Sequence, residues 1–257
     1  MITSASNQQM RKVRALLSRA KTRNEEKLFV VEGPRMVEET PEHLREAVYC
    51  SESFAAEEKN RNLVTLLRPE VVVDSVFRAT SDTQNPQGIL AVVQQQRYTL
   101  DDLCRRQRPL LILESVQDPG NLGTMLRTGE GAGIGGVIMN RQTVDIYNPK
   151  TVRSTMGSLY RVPFLITDDL AGTIGELKRR QYCLYAAHLR GKDSYAVQDY
   201  TKPSAFLIGN EGNGLSDAIA DLADCYVRIP MEGSVESLNA AVAAALLMYE
   251  AKRQRDH

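Results

Sequence analysis

The sequence predicts an α/β protein made of two consecutive units, a smaller one followed by a larger one with a parallel sheet. Short apolar runs alternate with helical stretches along the whole chain, which is typical of strands joined by helices. A polar stretch, residues 94–109, interrupts this alternation. The 257 residues can bury one large core or two modest ones. We therefore expect domains at residues 1–96 and 109–257, joined by a linker at 97–108.

The first unit begins with a helix. Ser6 followed by Gln9 fits a capping box, and the apolar residues Met10, Val13 and Leu16 then mark one face. After this helix, short apolar runs rich in β-branched residues predict strands. They cover residues 28–31, 47–50, 71–73 and 89–93.

The second unit opens with residues 110–113, a continuous apolar run of the kind found in buried parallel strands. Further strands are predicted at residues 137–139, 164–166, 184–187, 205–208 and 226–229. The last predicted helix, residues 237–253, is apolar on nearly every side between residues 238 and 248. Such a helix must be buried, either in the core or against another subunit.

Composition excludes several classes of protein. Basic and acidic residues are both 32, so net charge alone does not indicate a nucleic-acid partner. The four cysteines form no CxxC pair and the three histidines form no ligand cluster, so we expect no metal and a reducing compartment. The N-terminus lacks the long apolar run of a signal peptide, and no apolar run approaches the length of a membrane span. A cytoplasmic protein that does not contact membranes is expected.

The other face of the first helix carries a block of positive charge without an acid before Glu25. This block fits either a solvated helix face or an arm that contacts RNA phosphates. Its members are Arg11, Lys12, Arg14, Arg19, Lys21 and Arg23.

Three loops in the second unit carry most of the functional information. They cover residues 118–128, 209–216 and 229–239, and each follows a predicted strand. In open parallel sheets, ligands bind at the carboxyl edge of the strands. The three loops therefore predict a small-molecule pocket at that edge.

Two glycine patterns do not indicate phosphate binding. Residues 131–136 match GxGxxG but follow a helix and precede a strand, which is the reverse of the dinucleotide arrangement, so a helix-ending turn explains them better. Residues 209–214 lack the spacing and the lysine of a P-loop. Glu211 would repel a polyphosphate and suits a cationic or neutral ligand, although it could also simply stabilise a helix N-terminus.

Taken together, the three loops resemble the three motifs of the SpoU/TrmH family of RNA ribose 2′-O-methyltransferases, in the family's order. The resemblance implies a SPOUT domain with a deep trefoil knot, S-adenosylmethionine as cofactor, and a homodimer. Residues 27–39 and 83–93 also resemble the family's L30e-like substrate-binding domain, which favours ribosomal over transfer RNA as the substrate.

The resemblance assigns roles to residues that match its motifs. Those matching catalytic positions are Asn121, Arg127, Glu211, Ser237 and Asn239. Those expected to hold the cofactor are Gly209, Asn210, Ile229, Pro230, Met231 and Leu238. Arg153 lies in a segment that resembles the family's substrate entrance. Gly129 and Gly131 replace larger residues of the family, so the helix after Arg127 is expected to be frayed or short.

Methyl transfer mainly requires orientation, because the cofactor already carries the activated group. Arginine stays protonated at any working pH, so we expect Arg127 to stabilise charge and anchor phosphate, and the proton acceptor stays unassigned. Two other classes of protein compete with this interpretation. A nicotinamide- or nucleotide-binding enzyme would need an acid about 20 residues after a proper fingerprint, which is missing. A non-catalytic RNA-binding or assembly protein would have no reason to keep the motif residues intact.

Overall fold

The computed structural model describes residues 1–234 and 237–256 and divides into two compact units. The first combines residues 1–96 with residues 145–160, and the second combines residues 97–144 with residues 161–257. Chain order alone had grouped residues 145–160 with the C-terminal domain. They pack with the first unit instead.

Helices and strands are numbered in chain order. Up to residue 96 they are α1 Gln8–Ser18, α2 Ala20–Glu26, β1 Leu28–Glu32, α3 Pro34–Glu38, β2 Arg45–Ser51, α4 Glu52–Ala56, α5 Arg61–Leu67, β3 Glu70–Val72, α6 Asp74–Thr80 and β4 Ile89–Gln94. From residue 97 they are α7 Leu100–Cys104, β5 Leu110–Leu113, α8 Pro119–Ala132, β6 Gly136–Asn140, α9 Pro149–Thr155, β7 Phe164–Thr167, α10 Leu170–Arg179, β8 Cys183–Ala187, β9 Asp193–Ser194, β10 Ser204–Ile208, α11 Asp217–Ala220, β11 Cys225–Arg228 and α12 Ala240–Arg255.

The first unit is built on a four-stranded mixed sheet in the order β1-β4-β2-β3. Strands β1 and β2 run antiparallel to β4, and β3 runs parallel to β2. The carboxyl ends of β1, β2 and β3 therefore share one edge with the amino end of β4. Buried side chains of α1 and α6 pack on this sheet, including Met10, Leu16 and Phe77.

The start of the first helix differs from the sequence prediction. Asn7, not Ser6, is the N-cap, and its Oδ1 accepts hydrogen bonds from the backbone N–H groups of Gln9 and Met10. The Ser6 hydroxyl bonds to Ser4. Asparagine and serine are both good N-caps, so sequence alone does not choose between neighbouring positions. The predicted basic helix is also interrupted, because Arg19 is extended and separates α1 from α2.

The second unit contains a seven-stranded sheet in the order β7-β6-β5-β10-β8-β11-β9, and every pairing in it is parallel. Every residue of the neighbouring strands β5 and β10 is buried, as their continuous apolar sequences predict. The sequence did not predict β9, because its two residues are the polar pair Asp193–Ser194. Each predicted strand is present with ends within one residue of the prediction, except that β2 begins two residues earlier.

Helix α8 is continuous over 14 residues, so the expectation of a frayed helix after Arg127 is wrong. Its glycines permit close packing. A Cβ at Gly129 would lie 2.5 Å from Ile134 Cδ1 and 3.6 Å from Met248 Sδ, a residue of α12. The helix ends at Gly133 in the left-handed conformation (φ 71°), which confirms that residues 131–136 form a helix-ending turn.

The last helix, α12, begins at Ala240 and is buried on one side only. Ala244 and Leu247 are fully buried, whereas Val242 and Tyr249 are about half exposed, at 48% and 49%. Within a single chain, therefore, only part of the apolar surface of α12 is buried, whereas the sequence predicts burial on nearly every side. Over the described residues, no helix combines the length and apolarity that crossing a bilayer requires.

Candidate functional site

The parallel sheet of the second unit brings the three predicted loops to one edge. They follow β5, β10 and β11, and β5 is the direct neighbour of β10. Two hydrogen bonds connect one side chain from each loop region. Asn239 Nδ2 donates to Asn121 Oδ1 at 2.9 Å, and Asn121 Nδ2 donates to Glu211 Oε1 at 2.9 Å. The structure thus brings together three of the five predicted catalytic residues.

Glu211 is the acceptor for three donors from the first loop. Besides Asn121, the backbone N–H groups of Gln117 and Asp118 donate to its carboxylate, both at 3.0 Å. Partial burial raises the pKa of Glu211, but the hydrogen bonds from Gln117, Asn121 and Asp118 outweigh it and lower the net pKa. Glu211 is therefore a carboxylate at neutral pH that fastens the second loop to the first.

Asn239 also determines where the last helix begins. Its Oδ1 accepts hydrogen bonds from the N–H groups of Ala241 at 2.8 Å and Val242 at 3.3 Å, so it is the N-cap of α12. Ser237 is exposed and lines a cavity beside the second and third loops. Residues 235 and 236 of the third motif lie outside the described residues.

The glycine loop after β10 folds back on itself. Asn210 and Gly214 exchange two backbone hydrogen bonds of 3.0 and 2.9 Å, and Asn210 Oδ1 accepts from the N–H groups of Gly212 and Asn213. A Cβ at Gly209 would lie 2.1 Å from Gly214 C and Leu215 N. Only glycine fits at position 209, since no side chain can occupy that space.

The cavity has a volume of about 310 Å³ and lies between this loop, the segment after β11 and the start of α12. Apolar walls come from Ile208, Leu215 and Val227, among others. The predicted site residues that line it are Gly209, Asn210, Glu211, Ile229, Met231, Ser237 and Leu238. Pro230 follows Ile229 along the chain but is not a lining residue.

His188 also lines this cavity, although the sequence did not single it out. Its ring stacks on Tyr226 with centroids 5.3 Å apart, and Arg190 lies over the same tyrosine ring. Burial lowers the pKa of His188, and the nearby Arg190 lowers it further. The imidazole is therefore neutral at pH 7 and leaves the cavity wall without an additional positive charge.

Sequence reasoning missed three residues that hold the loops in place. Ser115 has a left-handed backbone (φ 57°), and Asn140 fixes it by accepting from its N–H at 2.9 Å and donating to its hydroxyl at 3.0 Å. The Ser115 carbonyl accepts from Asn210 Nδ2 at 2.9 Å. Glu114 holds the far end of the glycine loop by accepting from the N–H and hydroxyl of Ser216. The signal in the sequence that could have identified these residues is their position, since polar residues follow the predicted apolar strands directly.

Arg127 lies in the middle of α8 with an exposed side chain. Asn121, Thr124 and Arg127 follow each other at three-residue intervals along this helix. The Arg127 guanidinium makes no hydrogen bond or ion pair with any residue that the structure describes. It is therefore available to an anion or to a developing negative charge.

The predicted RNA-contacting residues all lie in the first unit and differ in availability. Arg23 is buried at 4% exposure, and it donates to Asp145 at 2.8 Å and to the Leu16 carbonyl at 2.6 Å. Its role is structural, in place of the phosphate contact that the sequence suggested. In contrast, the exposed side chains of Arg11 and Arg19 make no ion pair with the described residues.

The remaining members of the basic block have partners. Lys12 pairs with Glu26 and Lys21 with Glu25, whereas Arg14 donates to the Ala5 carbonyl. Arg153, on α9, pairs with Asp82 at 3.2 Å and is about one third exposed. Within the described ranges, no group of three or more His, Cys, Asp or Glu side chains is placed to hold a metal ion.

Comparison with known proteins gives a consistent result. The SpoU rRNA Methylase family matches residues 108–249, and the MRM3-like substrate binding domain matches residues 7–91. The 23S rRNA (guanosine(2553)-2′-O)-methyltransferase RlmP of Bacillus subtilis is 33% identical over 250 residues, which cover 96% of this chain and 97% of that protein.

Solved structures agree over the same length. The SpoU methyltransferase AviRb from Streptomyces viridochromogenes, in complex with AdoMet, superposes with a TM-score of 0.88 at 30% identity, covering 97% of this chain and 98% of that one. An AdoMet-bound rRNA methyltransferase from Sinorhizobium meliloti superposes with a TM-score of 0.84 at 30% identity, covering 98% and 97%. Both likenesses extend over both units.

Proposed function

The chain belongs to the SpoU rRNA methylase family, and we propose that it methylates a ribose 2′-hydroxyl of ribosomal RNA with S-adenosylmethionine as the methyl donor. The observation that carries this proposal is the hydrogen-bonded linkage of the three family motifs, of which the second and third line one cavity. Asn239, Asn121 and Glu211 form a continuous hydrogen-bonded chain at the carboxyl edge of a parallel sheet. In such sheets this edge binds ligands.

The cavity suits S-adenosylmethionine. Its volume of about 310 Å³ falls in the range of small-molecule sites, roughly 300–1,000 Å³. Its walls combine apolar side chains for an adenine ring with glycine backbone, and a Cβ at Gly214 would meet no atom within 4 Å. We propose that the cofactor is held by Gly209, Asn210, Ile229, Pro230, Met231 and Leu238. When bound, the cofactor supplies a methyl group activated by a sulfonium sulfur.

The protein's own groups divide into positioning and electrostatic roles. Glu211, Asn121 and Asn239 are engaged in internal hydrogen bonds, so we propose that they hold the loops in the geometry the reaction needs. Arg127, which has a free guanidinium, stabilises the negative charge that develops on the ribose oxygen. Ser237 is placed at the cavity wall, where its hydroxyl can contact a ligand. The proton acceptor is not assigned, since arginine remains protonated.

The first unit supplies RNA recognition in this proposal. It carries the match to a substrate binding domain, and its exposed Arg11 and Arg19 are available for phosphates. Ribosomal RNA is favoured because the relative RlmP is named for that substrate; transfer RNA is the alternative. The divisions of the chain at residues 1–96, 97–108 and 109–257 remain part of the proposal, with residues 145–160 assigned to the first unit. The trefoil knot, a homodimer that covers Val242 and Tyr249, and a cytoplasmic location are further parts of it.

Transfer of a labelled methyl group tests the function directly. We expect label from S-adenosylmethionine to enter ribosomal RNA fragments and to be absent when the mapped nucleotide carries a 2′-deoxyribose. Label in transfer RNA alone would identify transfer RNA as the substrate in place of ribosomal RNA. Label on a base would contradict ribose methylation. The same RNA incubated without the protein serves as the control. No transfer to either RNA would support a non-catalytic RNA-binding protein.

A further inference from the structure

The first unit has a cavity of its own, of about 360 Å³. It lies where the carboxyl ends of β1, β2 and β3 meet the amino end of β4, as the lining residues Pro34, Ser51, Asp74 and Gly88 show. All lining residues fall between residues 34 and 88, inside the segment that matches a substrate binding domain. None of the predicted RNA-contacting residues lines it.

The walls of this cavity include flat apolar surfaces. Phe54 and Phe77 are buried at 6% and 2% exposure, and Pro34 and Pro86 add to the lining. Gly88 has a φ of +81°, and a Cβ there would lie 2.8 Å from Phe54 Cβ. Glycine therefore lets the chain pass directly against Phe54. These residues give the cavity apolar walls, which suit an uncharged ring.

Two side chains of the lining, Asn60 and Asp74, offer hydrogen-bond acceptors. Asn60 is 7% exposed, and its Nδ2 donates to the Phe54 carbonyl at 3.0 Å and to Glu57 Oε2 at 3.2 Å. Both partners are acceptors, which identifies the other amide atom as Oδ1, and this oxygen accepts no hydrogen bond from the described residues. This oxygen can therefore accept a hydrogen bond from a ligand.

Asp74 contributes a second acceptor. Its Oδ1 accepts from the backbone N–H and the hydroxyl of Ser53, both at 3.0 Å, and the Ser51 hydroxyl and the Arg78 guanidinium also stabilise the carboxylate. A carboxylate can accept about four hydrogen bonds, so it retains capacity for a further donor. The backbone hydrogen bond from Ser53 lowers the pKa of Asp74, so this side chain is a carboxylate at neutral pH.

The charge of the lining is balanced. Two acids, Glu57 and Asp74, face two bases, Lys59 and Arg78, and Lys59 pairs with Glu57 at 2.8 Å. The exposed Arg78 has no hydrogen bond or ion pair among the described residues. A lining without net charge suits an uncharged ring, and the exposed Arg78, whose charge also stabilises Asp74, can contact the backbone of the same nucleotide.

We propose that this cavity receives one unstacked nucleobase of the RNA substrate and prefers a base with an exocyclic amino group. The inference rests on the proposed function for its choice of RNA. Guanine, adenine and cytosine each present an amino group to the acceptors of Asn60 and Asp74. Uracil has one N–H and two carbonyl oxygens, and a carbonyl facing the Asp74 carboxylate is repelled. Single-stranded RNA is commonly recognised through such splayed bases.

The proposal is tested by titrating the full chain with each of the four nucleoside 5′-monophosphates and measuring binding by NMR. UMP is expected to bind about tenfold more weakly than CMP, the pyrimidine closest to it in shape. Asp74→Asn keeps the acceptor for Ser53 but turns the other oxygen into a donor, so it should remove this preference. Arg78→Gln should weaken all four ligands equally. Glu58→Gln, which removes an exposed acid outside the cavity, is the matched control.

The outcomes separate this inference from the proposed function. Equal affinity for UMP and CMP, or an unchanged preference in Asp74→Asn, would overturn the base-binding cavity whether or not methyl transfer occurs. If the wild-type chain methylates no RNA, the proposed function fails. The relative affinities for UMP and CMP still show whether the cavity prefers a base with an amino group. S-adenosylmethionine affinity should be unchanged in Asp74→Asn, because this residue belongs to the other unit.

Discussion

Two regions use their polar side chains differently: the loop cluster of the second unit (residues 118–128, 209–216 and 229–239) and the basic segment of the first unit (residues 11–23). In the loop cluster, Asn121, Glu211 and Asn239 bond to one another and to backbone groups. In the basic segment, one arginine is buried while Arg11 and Arg19 extend from the surface without partners among the described residues. The first arrangement builds a rigid site, and the second offers charge to a flexible ligand.

This difference shows that a residue at a motif position can build the site without contacting the ligand. Glu211 has three internal donors, whereas the guanidinium of Arg127, another motif residue, has no partner among the described residues. Buried or part-buried polar groups are stabilised by partners, and those left without one are the candidates for ligand contact. Replacing a free side chain should therefore change the rate of methyl transfer, whereas replacing an internally bonded one should change cofactor affinity and thermal stability.

The largest effect is expected for a free side chain at the reaction site. Arg127→Ala should lower the rate constant for methyl transfer by about 10²–10³-fold, as for the loss of one donor to a developing oxyanion. Cofactor affinity, measured by calorimetry, should stay near wild type because Arg127 does not line the cavity. Arg106→Ala, which removes another exposed arginine of the second unit, is the control. A wild-type rate in Arg127→Ala would remove this residue from the mechanism.

A smaller effect, on a different quantity, is expected for an internally bonded side chain. Glu211→Gln turns one of the two acceptor oxygens into an NH2 donor, which then opposes the N–H group of either Gln117 or Asp118. An unsatisfied pair of donors costs about 1–3 kcal/mol, so cofactor affinity should fall roughly tenfold and thermal stability should decrease. Glu25→Gln, an exposed acid of the first unit, should change neither. A variant that keeps its affinity but loses its rate would make Glu211 catalytic.

The smallest effect is expected from the exposed arginines of the basic segment. The double variant Arg11→Gln, Arg19→Gln should bind RNA several-fold more weakly, because fewer phosphates are neutralised. The slope of log affinity against log salt should decrease by about 0.7–0.9 for each phosphate that the variant no longer neutralises. Arg61→Gln, an exposed arginine paired with Glu58, is the control. An unchanged affinity and slope would mean that this face is merely solvated.

Much of the fold could be predicted because it depends on local patterns. Continuous apolar runs located ten of the eleven strands of the described chain, and the missing one, Asp193–Ser194, has no apolar residue to mark it. Helix starts were less predictable, since Ser6 and Asn7 are comparable caps by residue type and the structure uses Asn7. The prediction that α8 is frayed or short was wrong because helix propensity does not account for packing between helices. Gly129 lets Met248 of α12 pack closely against α8.

The sequence by itself determined the order of the motifs, the strands that precede them and the residue types available at the sheet edge. The tertiary structure decided which of those residues are internally bonded. Arg23 could be removed from the RNA-contacting set only after Asp145, 122 positions later, was placed beside it. Likewise, Glu211 reaches Gln117 and Asn121 only because β5 and β10 are neighbours in the sheet. Such pairings join residues far apart in the chain, and no local pattern records them.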